Sequence, residues 1–347
     1  MNTRGASILS MGMMTPVGLT APQSAASVRA GITRFAETSL YDKRFEPFTM
    51  SLLPDEVLPP LHPELEKTVG LTSRQVRLLR LTAPALQEAL KGFPDEGGMP
   101  LFLGAPEHLK DRPQPLNDGF LAQLGLQSGV GFDIAASKVI FGGRAAGLMA
   151  LQAAMACLAA GKHPAVLAGG VDTYLDLYLL GTLDMEDRIL GQAVMDGFIP
   201  GEGAGFVLLS SSGASFARIS PVFTGFEEGH LGSDKPYQGE GLATVFAEIF
   251  GSGAFAQPVR EVYSAMNGEN HWAKEWGVAF LRNQGSFDPS HGIHHPADCL
   301  GDTGAASGIL LTILAAFGIG KGYRRSPALI TCSSDLGNRA AVAVGSP

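Results

Sequence analysis

Charge is scarce in this 347-residue chain: Asp, Glu, Lys and Arg together make up 17% of it, against roughly a quarter in an average soluble protein. What charge there is leans acidic, with 25 Lys and Arg facing 33 Asp and Glu for a formal net charge of −8. The basic residues are scattered, which argues against a nucleic-acid-binding face and leaves little general steering for an acidic partner such as a carrier protein. Cysteine is nearly absent. Cys157, Cys299 and Cys332 are too few and too far apart for a disulfide framework or a zinc site, and free thiols suit a reducing, cytoplasmic compartment.

Apolar runs that would span a membrane are lacking as well. Residues 145–160 are too short and end in Gly161-Lys162-His163-Pro164; residues 303–320 are long enough but carry Gly304, Gly308, Gly318 and Gly320, so both fit buried helices better than spans. Residues 1–21 have the look of a signal peptide, with Arg4 ahead of a weakly apolar run. That run contains Ser10, Gly12 and Thr15 and is broken by Pro16, so it reads as a first strand and turn.

Glycine, by contrast, is abundant, with 45 residues, and apolar residues make up 45% of the chain. Such a chain buries a large core, which excludes global disorder, and its length fits about two domains or one large duplicated unit. Low charge with much Gly and Ala predicts tightly packed buried helices and a buried subunit interface.

Along the chain, residues 6–11 read as a strand and 21–30 as a helix closing at Gly31. Pro47, Pro54, Pro59, Pro60 and Pro63 mark residues 40–70 as an irregular surface loop. A helix capped by Thr72 or Ser73 follows, with an apolar face of Val76, Leu79, Ala83, Leu86 and Leu90. Pro84 predicts a kink or split near Ala83. Residues 92–100 form a Pro/Gly connection, and 100–104 the next strand. A strand over 137–141 turns sharply through Gly142-Gly143-Arg144-Ala145-Ala146-Gly147 into a helix that ends at Gly161. That helix is apolar nearly all round, which predicts burial on every side. Residues 165–170 form a buried strand followed by Asp172, and a Gly-rich turn over 196–205 feeds a strand reaching 209. The second half repeats the plan: strand 217–226, helix 241–250, strand 259–265, a second all-apolar helix 302–316 entered through Gly301, and closing strands 328–332 and 339–344. Strands alternating with helices imply parallel sheets covered on both faces.

Four motifs occur in order across nearly the whole chain: Met11-Gly12-Met13-Met14-Thr15-Pro16-Val17-Gly18; Leu167-Ala168-Gly169-Gly170-Val171-Asp172; Asp196-Gly197-Phe198 with Gly201-Glu202-Gly203-Ala204-Gly205; and Gly301-Asp302-Thr303-Gly304-Ala305-Ala306-Ser307-Gly308. Together they resemble the β-ketoacyl synthases of the thiolase-like superfamily. The resemblance implies an α/β, thiolase-like fold of duplicated αβαβα layers with two central buried helices. The N-terminal half would be 1–212, with a loop insertion at about 40–70, and the C-terminal half 213–347. It also implies a homodimer, or a heterodimer with another thiolase-fold subunit.

Condensing enzymes of that family place a Cys at a strand-to-helix elbow, where the helix N-terminus lowers the thiol pKa and backbone donors hold the oxyanion. Two His, or a His and an Asn, bind the thioester carbonyl. Counting back from Leu167-Ala168-Gly169-Gly170 puts Arg144 at the nucleophile position, and a guanidinium cannot attack a thioester. Met266 or Asn267 falls at the first His position. Asp302 falls at the second, where an ionised carboxylate only accepts hydrogen bonds but suits a helix cap. Asp335 or a neighbour replaces the gating Phe. Arg144 then either pairs with a carboxylate across a partly buried interface or binds an anion or a partner's carboxylate. A pair with Asp302 would plug the vacated pocket, and requires a separation of no more than about 4 Å.

Other nucleophiles and bases remain to be weighed. Cys299, ahead of the second buried helix, is the best substitute thiol, though a free Cys is more often small packing; Cys157 and Cys332 read as packing. His271 stands either as a displaced catalytic group or as a helix-end residue ahead of a surface helix. His291, His294 and His295 lie in a Gly/Pro-rich stretch that fits a loop, with no carboxylate or Cys spacing to complete a metal site. Gly201–Gly205 runs into a strand, unlike a dinucleotide loop. No cofactor, metal, nucleic acid or membrane span is called for. The leading expectation is a catalytically inactive β-ketoacyl-synthase-like binding, assembly or accessory subunit, for instance a chain-length-factor-like partner of an active synthase, with an acyl carrier protein among its partners. The Asn267-Gly268-Glu269 and Gly301-Asp302-Thr303-Gly304 variants are similar to thiolase-like proteins found beside bacterial type VI secretion effectors, which implies, as an alternative, an adaptor for such an effector. The enzyme alternative is an acyltransferase (3-oxoacyl-ACP synthase-like) or thioesterase acting on acyl thioesters through Cys299 or a water held by Glu269 or His271.

Overall fold

Two runs of strands with the same order build the core of the computed structural model, which describes residues 5–93, 98–108, 114–213 and 215–347. Residues 1–4 of the signal-like segment and 94–97 of the Pro/Gly connection lie outside them. The first run comprises β1 (Ala6–Met14), α1 (Ala21–Arg29), β2 (Phe35–Tyr41), β3 (Pro47–Ser51), α2 (Pro63–Glu66), α3 (Ser73–Ala89), β4 (Leu101–Ala105), α4 (Phe120–Ser128), β5 (Lys138–Phe141), α5 (Ala146–Ala159), β6 (Ala165–Thr173), α6 (Leu177–Met185) and β7 (Glu202–Ser210). The second comprises β8 (Ala217–Ile219), β9 (Phe223–Phe226), α7 (Glu240–Gly251), β10 (Val259–Ser264), α8 (Asn270–Arg282), β11 (Phe287–His294), α9 (Ala297–Leu300), α10 (Ser307–Gly320), β12 (Ala328–Ser333) and β13 (Asn338–Gly345).

In the first, the sheet runs β5-β4-β6-β7-β1; in the second, β11-β10-β12-β13-β9. β4 is parallel to β5 and β6 while β7 runs antiparallel to β6, and β10 repeats this with β11, β12 and β13. β8 pairs with both β1 and β13 and joins the two runs into one eleven-stranded sheet. Duplication is therefore written in strand order as well as in the sequence. Pro221, which cannot donate to a ladder, separates β8 from β9 where a single strand over 217–226 was expected.

The central helices α5 and α10 meet through glycines. A Cβ on Gly147 would lie 2.8 Å from Ile309 N, and one on Gly308 would lie 2.9 Å from Leu148 N, so only hydrogen fits at either crossing point. α10 is buried except at Phe317 and its last residue. α5 departs from the expected all-round burial: Gln152, Ala153 and Cys157 are half-buried, and Ala156 and Ala159 are exposed. Alanine carries little apolar area, so a run of alanines looks more buried in sequence than its burial energy requires.

Three further expectations are corrected. Residues 40–70 are not irregular throughout, because Tyr41 ends β2, β3 pairs with β2, and α2 follows. Pro47 opens an edge strand and Pro63 the first turn of a helix, both positions where proline costs nothing. α3 continues through Pro84 without a split; the side chains of Leu78, Leu79, Leu81, Ala85 and Leu86, buried on both sides of the proline, hold the helix together. Its N-terminus carries a capping box: Thr72 Oγ1 accepts from Gln75 N, and Gln75 Oε1 accepts from Thr72 N. Finally, His291 and His294 stand on β11, an edge strand, where Pro289 and Gly292 are tolerated because only one side is paired. No helix among the described residues is long and apolar enough to cross a membrane.

Candidate functional site: a buried charge cluster between two elbows

Two tight turns face each other at the N-termini of the central helices. β5 passes through Gly142 into a 3₁₀ turn, Gly143–Ala145, and then α5. Gly301 leads to Asp302, a second 3₁₀ turn, Gly304–Ala306, and α10. Gly304 requires its glycine twice over: its φ is +50°, and a Cβ would sit 2.0 Å from Asp172 Oδ2. That carboxylate accepts from Ala305 N at 2.9 Å and holds Arg74 of α3 at 2.9 Å. The Gly-rich turn before β7 locks the second elbow, with Gly201 N donating to Asp302 O at 2.9 Å and Asp302 N to Ile199 O at 2.8 Å.

Arg144 and Asp302, one from each elbow, are in contact at 2.8 Å, with side chains only 4% and 1% exposed. The same guanidinium donates to Asp335 and to the Ser333 carbonyl, and stacks on the Trp272 ring at 4.3 Å. Asn267 Nδ2 donates to Asp302 at 2.7 Å and to Glu269 at 3.0 Å. Arg188 closes the ring, holding Glu269 at 2.7 Å and Asp335 at 2.8 Å, and Trp272 Nε1 donates to Glu269. The segment after β12 is clamped over the first elbow: Ser334 Oγ accepts from Ala145 N and donates to Gly142 O.

The electrostatics follow from this packing. Burial works against the charge on Arg144 and Arg188, but Asp335 and Asp302 around the first, and Glu269 and Asp335 around the second, outweigh it and raise both guanidinium pKa values. Burial pushes Asp335 up, yet Arg144 and Arg188 hold it well below the usual carboxylate range. Glu269 is lowered in the same way, chiefly by Arg188. Glu107 behaves differently. Burial, then the neighbouring Asp335, raises its carboxyl to about 7; it accepts from Leu336 N at 3.1 Å and lies against Gly143. A cavity of about 400 Å³ opens onto the cluster, with Arg144, Arg188, Asp335, Glu107 and Tyr174 in its wall.

Of the sequence candidates, Arg144, Asn267, Glu269 and Asp302 are thus brought together. Met266 is not: it packs against the apolar core of the second half, its N–H on Ser264 Oγ. His271 points away, its ring against Tyr237 and Trp272 and its Nε2 without a hydrogen-bond partner; burial lowers its pKa. Nor does α8 begin a surface helix, since Trp272, Glu275 and Trp276 are buried. Cys299 lies on α9 with Sγ 3.9 Å from Val28 O, and burial followed by Asp298 raises its thiol pKa, the wrong direction for a nucleophile. Burial also raises Cys157 and Cys332. His294 pairs with Glu261 at 2.6 Å, and among the described residues no group of three or more His, Cys, Asp or Glu gathers to hold a metal.

Sequence reasoning missed Arg188, Glu107, Trp272 and the Arg74–Asp172 pair. It also gave Asp335 no role beyond replacing a phenylalanine. Nothing local signals these contacts: Arg188 and Asp335 are 147 residues apart.

No family model and no curated protein matches the sequence. Solved structures do match the fold. A ketosynthase from module 6 of the bacillaene synthase of Bacillus subtilis 168 superposes with a TM-score of 0.78 at 13% identity, covering 99% of this chain and 72% of that one. The ishigamide ketosynthase/chain length factor gives 0.75 at 14% identity, over 99% and 100%. A β-ketoacyl synthase from Burkholderia phymatum STM815 gives 0.74 at 15%, also over 99% and 100%. With its duplicated strand order and paired elbows, the chain has the thiolase-like fold of the ketosynthases.

Proposed function

We propose that this chain is a catalytically inactive ketosynthase-fold subunit, with halves 1–212 and 213–347, that acts by binding or assembly. One observation carries the reading: the position that would hold a nucleophile carries Arg144, a guanidinium that is buried and fully partnered by Asp302, Asp335 and the Ser333 carbonyl. It can neither attack a thioester nor abstract a proton, and the carboxylates around it would repel a developing oxyanion. The ishigamide ketosynthase/chain length factor shares the fold, which supports a chain-length-factor-like role beside an active thiolase-fold synthase in a cytoplasmic dimer. A chain from the structure of a type II PKS acyl-carrier protein in complex with its ketosynthase matches as well, with a TM-score of 0.77 at 15% identity over 99% of this chain and 100% of that one, which supports a carrier protein among the partners.

Incubation with acyl thioesters followed by intact-mass measurement tests inactivity. No adduct and no turnover are expected; a stable acyl adduct, or turnover abolished by Cys299→Ala, overturns the reading. Co-purification from the native host tests assembly. A thiolase-fold or carrier-protein partner is expected, and recovery as a lone monomer overturns it.

A further inference from the structure

The cavity of about 400 Å³ over the charge cluster is not used by the inactive reading, and its chemistry is unlike that of an acyl site. Leu179, Leu183, Leu231 and Leu336 form apolar wall. Each of the three guanidinium groups in the lining is already engaged: Arg74 with Asp172, Arg144 with Asp302 and Asp335, Arg188 with Glu269 and Asp335. Among the described residues Glu107 makes no ion pair, and its hydrogen-bond donor is the neutral Leu336 N–H. Among the described residues, an anion entering here meets no unengaged cation and an excess of carboxyl groups. A cation meets the Glu107 carboxyl, which has no ion-pair partner among the described residues, beside Asp335.

We propose that this cavity binds a primary ammonium on an aliphatic stem, the stem along Leu179, Leu183, Leu231 and Leu336 and the ammonium on Glu107 beside Asp335. The inference rests on the non-catalytic reading of the same site and names its ligand. A compact ammonium suits the position better than a planar guanidinium, because its three donors turn freely toward oxygens of separate carboxyls. Burial and then Asp335 raise the Glu107 carboxyl to about 7, and Leu336 N–H, Arg144 and Arg339 offset this only in part. Among the described residues, the groups that face it are Asp335 and Leu336 from the segment after β12, Arg144 from the first elbow and Arg339 from β13. A bound ammonium expels the proton from Glu107, so affinity rises with pH through this range.

Isothermal titration of the full chain with pentylammonium, with Nα-acetyl-lysine amide, and with hexanoate as the anionic control tests the proposal. Pentylammonium or the lysine amide is expected to bind about tenfold more tightly at pH 8 than at pH 6, with proton release near pH 7 read from buffers of different ionisation enthalpy. Whichever binds more tightly distinguishes a free amine from a lysine side chain of a partner protein. Glu107→Gln is expected to lower affinity roughly tenfold or more with its melting transition intact. Leu231→Arg, at the exposed rim, is expected to remove binding without touching the buried cluster. Preferential binding of hexanoate, pH-independent binding, or full affinity in Glu107→Gln overturns the proposal and leaves the buried Arg144 and the inactive reading standing. An acyl adduct in the thioester assay would sink the inactive reading instead, whatever the ammonium affinity.

Discussion

Replacing Arg144 by methionine tests whether the guanidinium is a structural counter-charge. Methionine keeps much of the stem's volume and its contact with Trp272 but removes the charge and all donors. Asp302, 2% exposed, keeps Asn267 and Gly304 N as donors, while Asp335 keeps Arg188. Stranding a partner of a buried ion pair costs about 3–5 kcal/mol, and the surviving donors put this case near the lower end, about 3 kcal/mol. Unfolding entropy of about 2.1 cal/mol/K per residue gives roughly 0.7 kcal/mol/K for a chain of this length, so the melting temperature falls by about 4 °C at pH 8. The pH dependence adds a sign. In the native protein Asp335 titrates below its unfolded value, so its contribution is complete above that value and fades as pH falls toward the native pKa. In the variant Asp335 loses one of the two guanidinium groups that hold it down, so its carboxyl titrates higher than in the native protein and costs least in acid. The gap between wild type and variant therefore narrows from pH 8 to pH 4. Scanning calorimetry at pH 8, 6 and 4 reads both quantities. A drop below about 1 °C at pH 8, or a gap that widens toward acid, refutes the assignment of Arg144 as a buried counter-charge.

Glu107, raised to about 7, stabilises the fold fully below its unfolded pKa of roughly 4.5 and loses that contribution as pH rises to about 7. Glu107→Gln is expected to abolish this slope and to melt above wild type at pH 8; an unchanged slope in thermal scans counts against the raised carboxyl. Gly304→Ala forces a Cβ onto Asp172 Oδ2 at a φ of +50° and is expected to cost at least about 2 kcal/mol, a loss of roughly 3 °C; a neutral result would mean the elbow is not held as described. Arg144→Cys puts a thiol among Asp302, Asp335 and Glu269, whose charges raise its pKa. Iodoacetamide alkylation at pH 8 is expected to run slower than for a free thiol, faster once Asp302→Asn is added, and a fast-reacting single variant would contradict this.

The parts of the fold legible in the sequence are those where a local constraint is severe. The elbows show because Gly143, Gly301 and Gly304 adopt positive φ, and only glycine does so without strain. Arg144 and Asp302 were found because flanking motifs fix their positions, and helix spacing placed α1 and α7 nearly to the residue. The β2–β3 hairpin was lost because proline clusters mark turns without saying that its strands pair. The open flank of α5 was lost because alanine leaves no record of burial. The rest of the charge cluster could not be read at all: Leu336 N reaches Glu107 across 229 positions and Arg188 reaches Glu269 across 81, and no local pattern in a chain encodes which distant carboxyl will face which arginine.

That cluster also explains why its substitutions belong together. Arg144 at the N-terminal end of α5 faces the positive end of that helix dipole, which is tenable only with Asp302 and Asp335 against it. Those acids and Glu269 exceed what one guanidinium balances, and Arg188 supplies the second. Reversing any single member strands a buried charge, so the arrangement stands or falls as a set. The contact between α5 and α10 through Gly147 and Gly308 is indifferent to it, being made of backbone and hydrogen atoms. The thiolase-like scaffold is therefore held independently of the charge cluster, whose ion pairs in turn tie the two elbows together.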